Sequence, residues 1–164
     1  LLLAVPMIFA DDAKRRVPPH ITLVEDPALI AELEQGEAEL FQQLAVVQNR
    51  KWVDVLRAIP DSAYGTGDPE FRAKIRENPE NYAFSFDVDA ISKPCTAPTL
   101  IVTGRQDSSV GYRDAWEILE NYPRATFVVL DCAGHCVHIE QEELYHTLFN
   151  EWLDRVEGYA GIAR

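Results

Sequence analysis

Two stretches decide the fold: residues 98–116, PTLIVTGRQDSSVGYRDAW, and residues 121–144, NYPRATFVVLDCAGHCVHIEQEEL. Each contains a short apolar run, TLIVT at 99–103 and TFVVL at 126–130, which is typical of a strand buried on both faces. A segment with helical spacing of apolar residues follows each strand. Strand, helix, strand and helix in this order indicate parallel strands joined by right-handed crossovers, so the sequence predicts an α/β fold.

The two helices of this region are predicted from their apolar faces, over residues 112–122 and 140–156. The buried faces are expected to comprise Tyr112, Ala115, Trp116, Leu119 and Tyr122 in the first helix, and Leu144, Leu148, Trp152 and Val156 in the closing helix.

Reactive side chains in a parallel sheet collect just beyond the carboxyl ends of the strands. The loop after the first strand carries Asp107, and the loop after the second carries His135, 28 residues later. This separation equals one crossover unit, so the two loops are expected to be neighbours. A carboxylate beside an imidazole orients the ring and stabilises its charged form, which suits a general base acting on a nucleophile. The alternative for Asp107 is that it only caps the following helix.

The front of the chain is organised differently. The run LLLAVPMIF at 1–9 is expected to be a further buried strand, with the tail of a signal peptide as the alternative. Between 27 and 85, Asp-Pro and Asn-Pro pairs precede short amphipathic stretches and predict a set of short helices. Residues 86–98 are polar, contain two prolines and mark a subdomain boundary.

The back of the chain resembles the end of an α/β-hydrolase fold protein. In that family, one strand leads to the catalytic acid, and a last strand leads to an A-G-H loop with the catalytic histidine. The resemblance implies that Asp107 is the acid and His135 the base. It further implies a partial doubly wound parallel sheet with an inserted helical cap. The expected domains are a core strand and connection (1–16), the cap (17–92) and the C-terminal part of the core (93–164).

The sequence departs from the family in one respect, because it contains no G-x-S-x-G nucleophile turn. We therefore expect that about the first five strands of the family fold lie outside this sequence, and that this chain alone is inactive. The complete enzyme is expected to hydrolyse a small ester or an acyl or C–C bond through a nucleophile–His–Asp triad. No cofactor is implied, and the expected partner is a small-molecule substrate.

Several alternatives remain open at the level of sequence. Asp11 and Asp12 follow the first strand and are second candidates for the acid. The same fold also serves non-catalytic ligand-binding proteins. The dense set of ligand-type residues at 132–140 could form a metal-binding module: Cys132, His135, Cys136, His138 and Glu140. For Cys132 and Cys136, a role as small buried packing residues is favoured. Aromatic residues of the predicted cap could touch substrate or form its core: Trp52, Tyr82, Phe84 and Phe86.

Composition excludes several classes of function. Fifteen Lys and Arg against 27 Asp and Glu give a net charge of −12, which argues against nucleic-acid or anionic-lipid partners. Three cysteines do not suit a disulfide framework, and no apolar run is long enough to cross a membrane. These features predict a cytoplasmic protein.

Overall fold

A parallel three-stranded sheet forms the centre of the computed structural model, which describes residues 2–3, 16–58, 67–78 and 90–162. Strand β1 is Leu2–Leu3, β2 is Thr99–Gly104 and β3 is Ala125–Leu130, in the order β1-β2-β3. Leu100 of β2 is paired with Leu2 on one side and with Thr126 on the other. The predicted α/β fold with parallel strands is confirmed.

A group of short helices precedes β2, and further helices follow β2 and β3, in the order expected from the sequence. In the front part these are α1 (Pro27–Ile30), α2 (Gln35–Leu44), α3 (Arg50–Ala58) and α4 (Pro69–Glu77). After β2 come α5 (Tyr112–Glu117) and a 3₁₀ turn (Leu119–Asn121). After β3 come α6 (Val137–Glu140) and the long α7 (Glu142–Ile162).

Aspartate–proline pairs start two of the front helices, as the sequence predicted. The carboxylate of Asp26 accepts a hydrogen bond from the backbone N–H of Leu29 at 2.9 Å, at the start of α1. Asp68 accepts from the N–H groups of Glu70 and Phe71 at the start of α4. The caps satisfy N–H groups that have no partner within the helix.

Two hydrophobic clusters divide the described residues. The helical cluster consists of Leu29, Phe41, Ala45, Trp52 and Val53. The sheet cluster consists of Leu100, Val102, Ala133 and Val137, with Leu148 and Trp152 of α7 packed against it. Helix α6 and the residue before it lie between the two: Val137 belongs to the sheet cluster, whereas Cys136 and Ile139 pack against the helical cluster.

The predicted helix 112–122 is interrupted. It changes at Ile118 into the short 3₁₀ turn, and Trp116 is 60% exposed, so its assignment to the buried face was wrong. The indole packs edge-on against Phe127 of β3. Among the described strands β3 is an edge of the sheet and is only half-buried throughout, so Trp116 packs at a partly exposed margin of the sheet.

The predicted closing helix 140–156 consists of two helices that meet at Gln141. Leu148 and Trp152 pack on the sheet cluster as expected, but Leu144 is 51% exposed and Tyr145 packs in its place. A row of residues at steps of four advances about 40° per step around a helix with 3.6 residues per turn. The row therefore drifts away from a straight contact, and its first member points to solvent.

The predicted boundaries at 16, 92 and 93 remain predictions. Most of the predicted strand 1–9, both Asp11 and Asp12, and the cap residues Tyr82, Phe84 and Phe86 lie outside the described residues. Within the described part of the chain, no helix combines the length and apolar character that crossing a membrane requires.

Candidate active site

The loop after β2 brings Asp107 to the edge of the sheet and fixes both of its oxygens. Oδ1 accepts hydrogen bonds from the backbone N–H groups of Ser109 and Val110, each at 2.8 Å. Oδ2 lies 3.3 Å from Nδ1 of His135. The side chain is buried, with 6% of the residue exposed. Asp107 thus stabilises the turn before α5 with one oxygen and leaves the other for the imidazole.

His135, in the loop after β3, is the partner that the spacing predicted. Because a carboxylate only accepts, Nδ1 of the ring carries the proton and donates a hydrogen bond to Asp107. In the neutral ring, Nε2 then holds the free lone pair. The hydrogen bond to Asp107 raises the pKa of His135 above its ordinary value, and its negative charge adds to the effect against the opposing influence of burial. The pair therefore favours an imidazole that accepts a proton at Nε2.

Gln106 ties the two loops together. Its backbone N–H donates to the carbonyl of Ala133 at 2.9 Å, and its side-chain carbonyl accepts from the N–H of Ala133 at 3.2 Å. Its side-chain amide also donates to Asp131 at 2.7 Å. These bonds lock the loop before Asp107 onto the loop before His135. The sequence analysis missed this residue, since a loop glutamine gives no pattern that marks such a role.

Two glycines allow the loops to approach each other closely. A Cβ on Gly104, at the end of β2, would overlap the backbone carbonyls of Ala133 and Gly134. A Cβ on Gly134 would lie 2.9 Å from a methyl carbon of Val46, in the turn between α2 and α3. The backbone before His135 therefore has direct contact with β2 on one side and, on the other, with the helical segment, which is residues 27–58 with helices α1 to α3.

The residues at 132–140 do not gather around a common point. Among the described residues, no three His, Cys, Asp or Glu side chains form a group that could hold a metal ion. Within 132–140, His135 pairs with Asp107, and His138 contacts the ring of Tyr145. The carboxylate of Glu140 accepts backbone hydrogen bonds. These contacts use the side chains separately, so they do not support the metal-binding alternative.

The two cysteines of this region differ. Cys136 is partly buried against the helical cluster, and burial together with the nearby charges of Glu140 and Asp107 raises its pKa to about 11. Its thiol stays protonated at neutral pH and is a poor nucleophile and metal ligand. Cys132 is also half-buried, but it is not among the residues that pack against either cluster, and its φ of 53° lies in the left-handed region. It makes a weak hydrogen bond to the carboxylate of Asp131.

A narrow cleft of about 10 Å³ opens beside the pair. His20 contributes to its wall, with Nε2 3.1 Å from the carbonyl of Gln42, as do Gln43 and Val46 of the helical segment. A larger cavity of about 460 Å³ lies elsewhere, between α5 and β3, and includes neither Asp107 nor His135. The described walls of the cleft hold about one water molecule, so they do not by themselves enclose a substrate.

A parallel sheet that presents an aspartate and a histidine on adjacent loops at its carboxyl edge defines the chain as an α/β protein of hydrolase type. The family model described as "alpha/beta hydrolase fold" matches residues 22–142. This match covers well over half of the chain, and the chain belongs to the alpha/beta hydrolase fold family.

Solved structures agree with this assignment. The chain is similar to an alpha/beta superfamily hydrolase from Oenococcus oeni PSU-1, with 25% identity and a TM-score of 0.73, covering 93% of this chain and 55% of that one. It shares the fold of serine hydrolase CCSP0084 from Cycloclasticus zankles, with 18% identity and a TM-score of 0.50, covering 84% and 52%. The chain thus spans about half the length of each structure. No curated protein matches the sequence significantly.

Proposed function

We propose that this chain carries the acid and the base of a serine-type hydrolase, with Asp107 as the acid and His135 as the base. The observation that supports the proposal best is the 3.3 Å contact between Oδ2 of Asp107 and Nδ1 of His135 at the carboxyl edge of a parallel sheet. Membership in the hydrolase fold family adds to it. The nucleophile in this proposal lies in a segment outside this sequence, because the sequence holds no G-x-S-x-G turn.

The proposed reaction follows from the orientation of the ring. As the serine oxygen forms its bond to the carbonyl carbon of a small ester, its proton moves to Nε2 of His135. The imidazolium, stabilised by Asp107, then returns this proton to the departing alkoxide. Water next loses a proton to Nε2 and attacks the acyl-enzyme, and the serine regains its proton as the acid is released. The helical segment is proposed to act as a cap that excludes bulk water from these steps.

The test compares two histidines of the full-length protein. His135→Ala should lower kcat/KM for a p-nitrophenyl ester by about four to six orders of magnitude, as removal of the base does in studied proteases. His146→Ala is the matched control, since this ring on α7 is 63% exposed and pairs with Glu142 at the surface, and it should change the rate less than about threefold.

Two results would contradict the proposal. Equal activity of the His135→Ala variant and its control would remove His135 from the reaction. A wild-type protein that neither cleaves p-nitrophenyl esters nor reacts covalently with a fluorophosphonate probe would lack an activated serine, and would favour a non-catalytic ligand-binding protein on the same fold.

A further inference from the structure

We propose that Glu140 is a positioning residue, which sets the place of His135 relative to the helical segment. Its carboxylate joins two backbone segments that are distant in sequence. Oε2 accepts a hydrogen bond from the N–H of Gly134 at 2.6 Å, and Oε1 accepts from the N–H of Val46 at 2.7 Å. Gly134 is the residue directly before His135, and Val46 lies in the turn between α2 and α3.

The two segments are in direct contact. A Cβ on Gly134 would come within 2.9 Å of a side-chain methyl of Val46, so Val46 itself packs against the backbone of Gly134. Both residues are buried, and neither belongs to one of the described strands of the sheet. Losing this acceptor would leave two buried donors unpaired, an arrangement that proteins avoid strongly.

The electrostatics of Glu140 fit this role. Burial raises its pKa, and the N–H groups of Gly134 and Val46 oppose that rise by stabilising the charged form. The indole N–H of Trp52 acts in the same direction. A carboxylate that receives N–H donors from both sides forms stronger hydrogen bonds than a neutral acceptor does.

A second acidic residue nearby offers a direct comparison. Glu142 also connects the two parts of the molecule, through an ion pair with Lys51 of α3 at 2.6 Å. Both of these side chains are about half exposed, and neither contacts the loop of His135. The structure therefore contains one connection that includes the histidine loop and one that bypasses it.

The inference deepens the proposed function, on which its catalytic consequence rests. If His135 is the base, its ring must keep both its distance to Asp107 and its distance to a substrate held under the helical segment. Glu140 acts on both distances, because it binds the backbone of Gly134 to the turn that forms the cleft wall and so holds the loop from which the ring of His135 reaches Asp107.

The test measures the titration of His135 by NMR in the full-length protein, in two variants and a control. Glu140→Asp keeps the charge but shortens the side chain by one methylene, so it loses one of the two N–H groups. Glu140→Gln keeps the length but directs an amide N–H₂ at one of the donors. Glu142→Gln removes the exposed connection. Circular dichroism and thermal unfolding establish that each variant folds, and Gln, of equal volume, is the milder change.

We expect the pKa of His135 to fall toward its ordinary value in both Glu140 variants, because a displaced loop weakens the bond to Asp107. We expect kcat for a p-nitrophenyl ester to fall about 10- to 100-fold with KM nearly unchanged. Glu142→Gln should leave the titration and the rate as they are.

Two outcomes would overturn the inference. An unchanged pKa of His135 in a folded Glu140→Asp variant with a lower melting temperature would show that Glu140 only stabilises the fold. A lower pKa of His135 in the Glu140→Gln variant, but not in the Glu140→Asp variant, would show that the charge of Glu140 acts at a distance without positioning the loop. A wild-type protein without esterase activity would contradict the proposed function alone, since the titration of His135 is measured independently of turnover.

Discussion

The two sides of the cleft are held in different ways. On the sheet side, short hydrogen bonds from Gln106 and the tight approach of Gly104 fix the loops of Asp107 and His135 to each other. On the other side, the helical segment has its own hydrophobic cluster and meets the histidine loop at α6 and at Glu140. The difference shows that contacts within residues 104–136 join the two loops to each other, whereas Glu140 sets the histidine loop against the opposite side of the cleft. The placement of the opposite wall depends on packing with residues far away in the chain.

The largest expected effect concerns the helical cluster. Phe41 is fully buried and packs edge-on against Trp52, with ring centroids 6.4 Å apart. Phe41→Ala should lower the free energy of unfolding by about 3–5 kcal/mol in urea denaturation, through lost transfer energy and the cavity that remains. Phe71→Ala is the matched control, because this ring is 62% exposed on α4 and should change stability by less than about 0.5 kcal/mol.

Hydrogen exchange in the Phe41→Ala variant tests whether the helical cluster and the sheet unfold independently. The helical cluster includes no residue of the sheet, so amides of α2 and α3 should lose more protection in the Phe41→Ala variant than amides of β2. Equal loss of protection would mean that both sides unfold as one unit, which would break the comparison.

A smaller effect is expected where the two loops meet. Gly104→Ala places a methyl group against the carbonyls of Ala133 and Gly134, which belong to backbone and cannot rotate away. We expect a loss of about 2–3 kcal/mol in urea denaturation, as for other overpacked sites. Gly36→Ala is the control: nothing lies within 4 Å of its new methyl group in α2, so stability should stay level or rise by about 0.5–1 kcal/mol. Equal stability of both variants would argue against the tight approach of the loops.

The smallest expected effect is a dependence on pH. The folded protein holds the pKa of His135 above the ordinary value of about 6.5 for a histidine, mainly through the hydrogen bond to Asp107. The protonated pair therefore adds stability below about pH 6.5, and this gain disappears as the pH rises through the higher pKa of the folded state. Asp107→Asn keeps an oxygen for the turn but loses the charge, so it should be more destabilising at pH 5.5 than at pH 9.

The expected difference is under about 1 kcal/mol, because the side chain of His135 is 45% exposed and solvent weakens the pair. Asp114→Asn serves as the control, since this buried carboxylate pairs with Arg16, which does not titrate in the range. Its destabilisation should be the same at both pH values. The same pH dependence of the unfolding free energy in both variants would argue that Asp107 does not stabilise protonated His135.

The sequence analysis succeeded where local pattern and topology coincide. TLIVT and TFVVL could be recognised as strands because their apolar runs are short, β-branched and bounded by turn residues. Once they are parallel neighbours, the loops after them must share one edge of the sheet. Asp107 and His135 therefore come together without any knowledge of side-chain packing. Whether they act in catalysis remains a prediction.

It failed where a role depends on a distant partner. Glu140 was grouped with possible metal ligands because its spacing to Cys136 and His138 suggested a local cluster. Its real partners include Val46, 94 residues earlier. Trp116 and Leu144 have helical spacing suited to burial, but the described neighbours do not cover them. Periodicity describes which side of a helix is apolar, and tertiary packing decides how much of it is covered.

The division of α6 between two clusters has a consequence for how such a protein diversifies. Val137 packs in the sheet cluster, while Cys136 and Ile139 pack against the helical cluster. We therefore expect a changed side chain in the helical cluster to shift the loop that carries His135, even where that side chain does not contact a substrate. Selection for altered substrate range in the helices therefore also acts on the base, and adaptive substitutions there will be accompanied by compensating ones near His135.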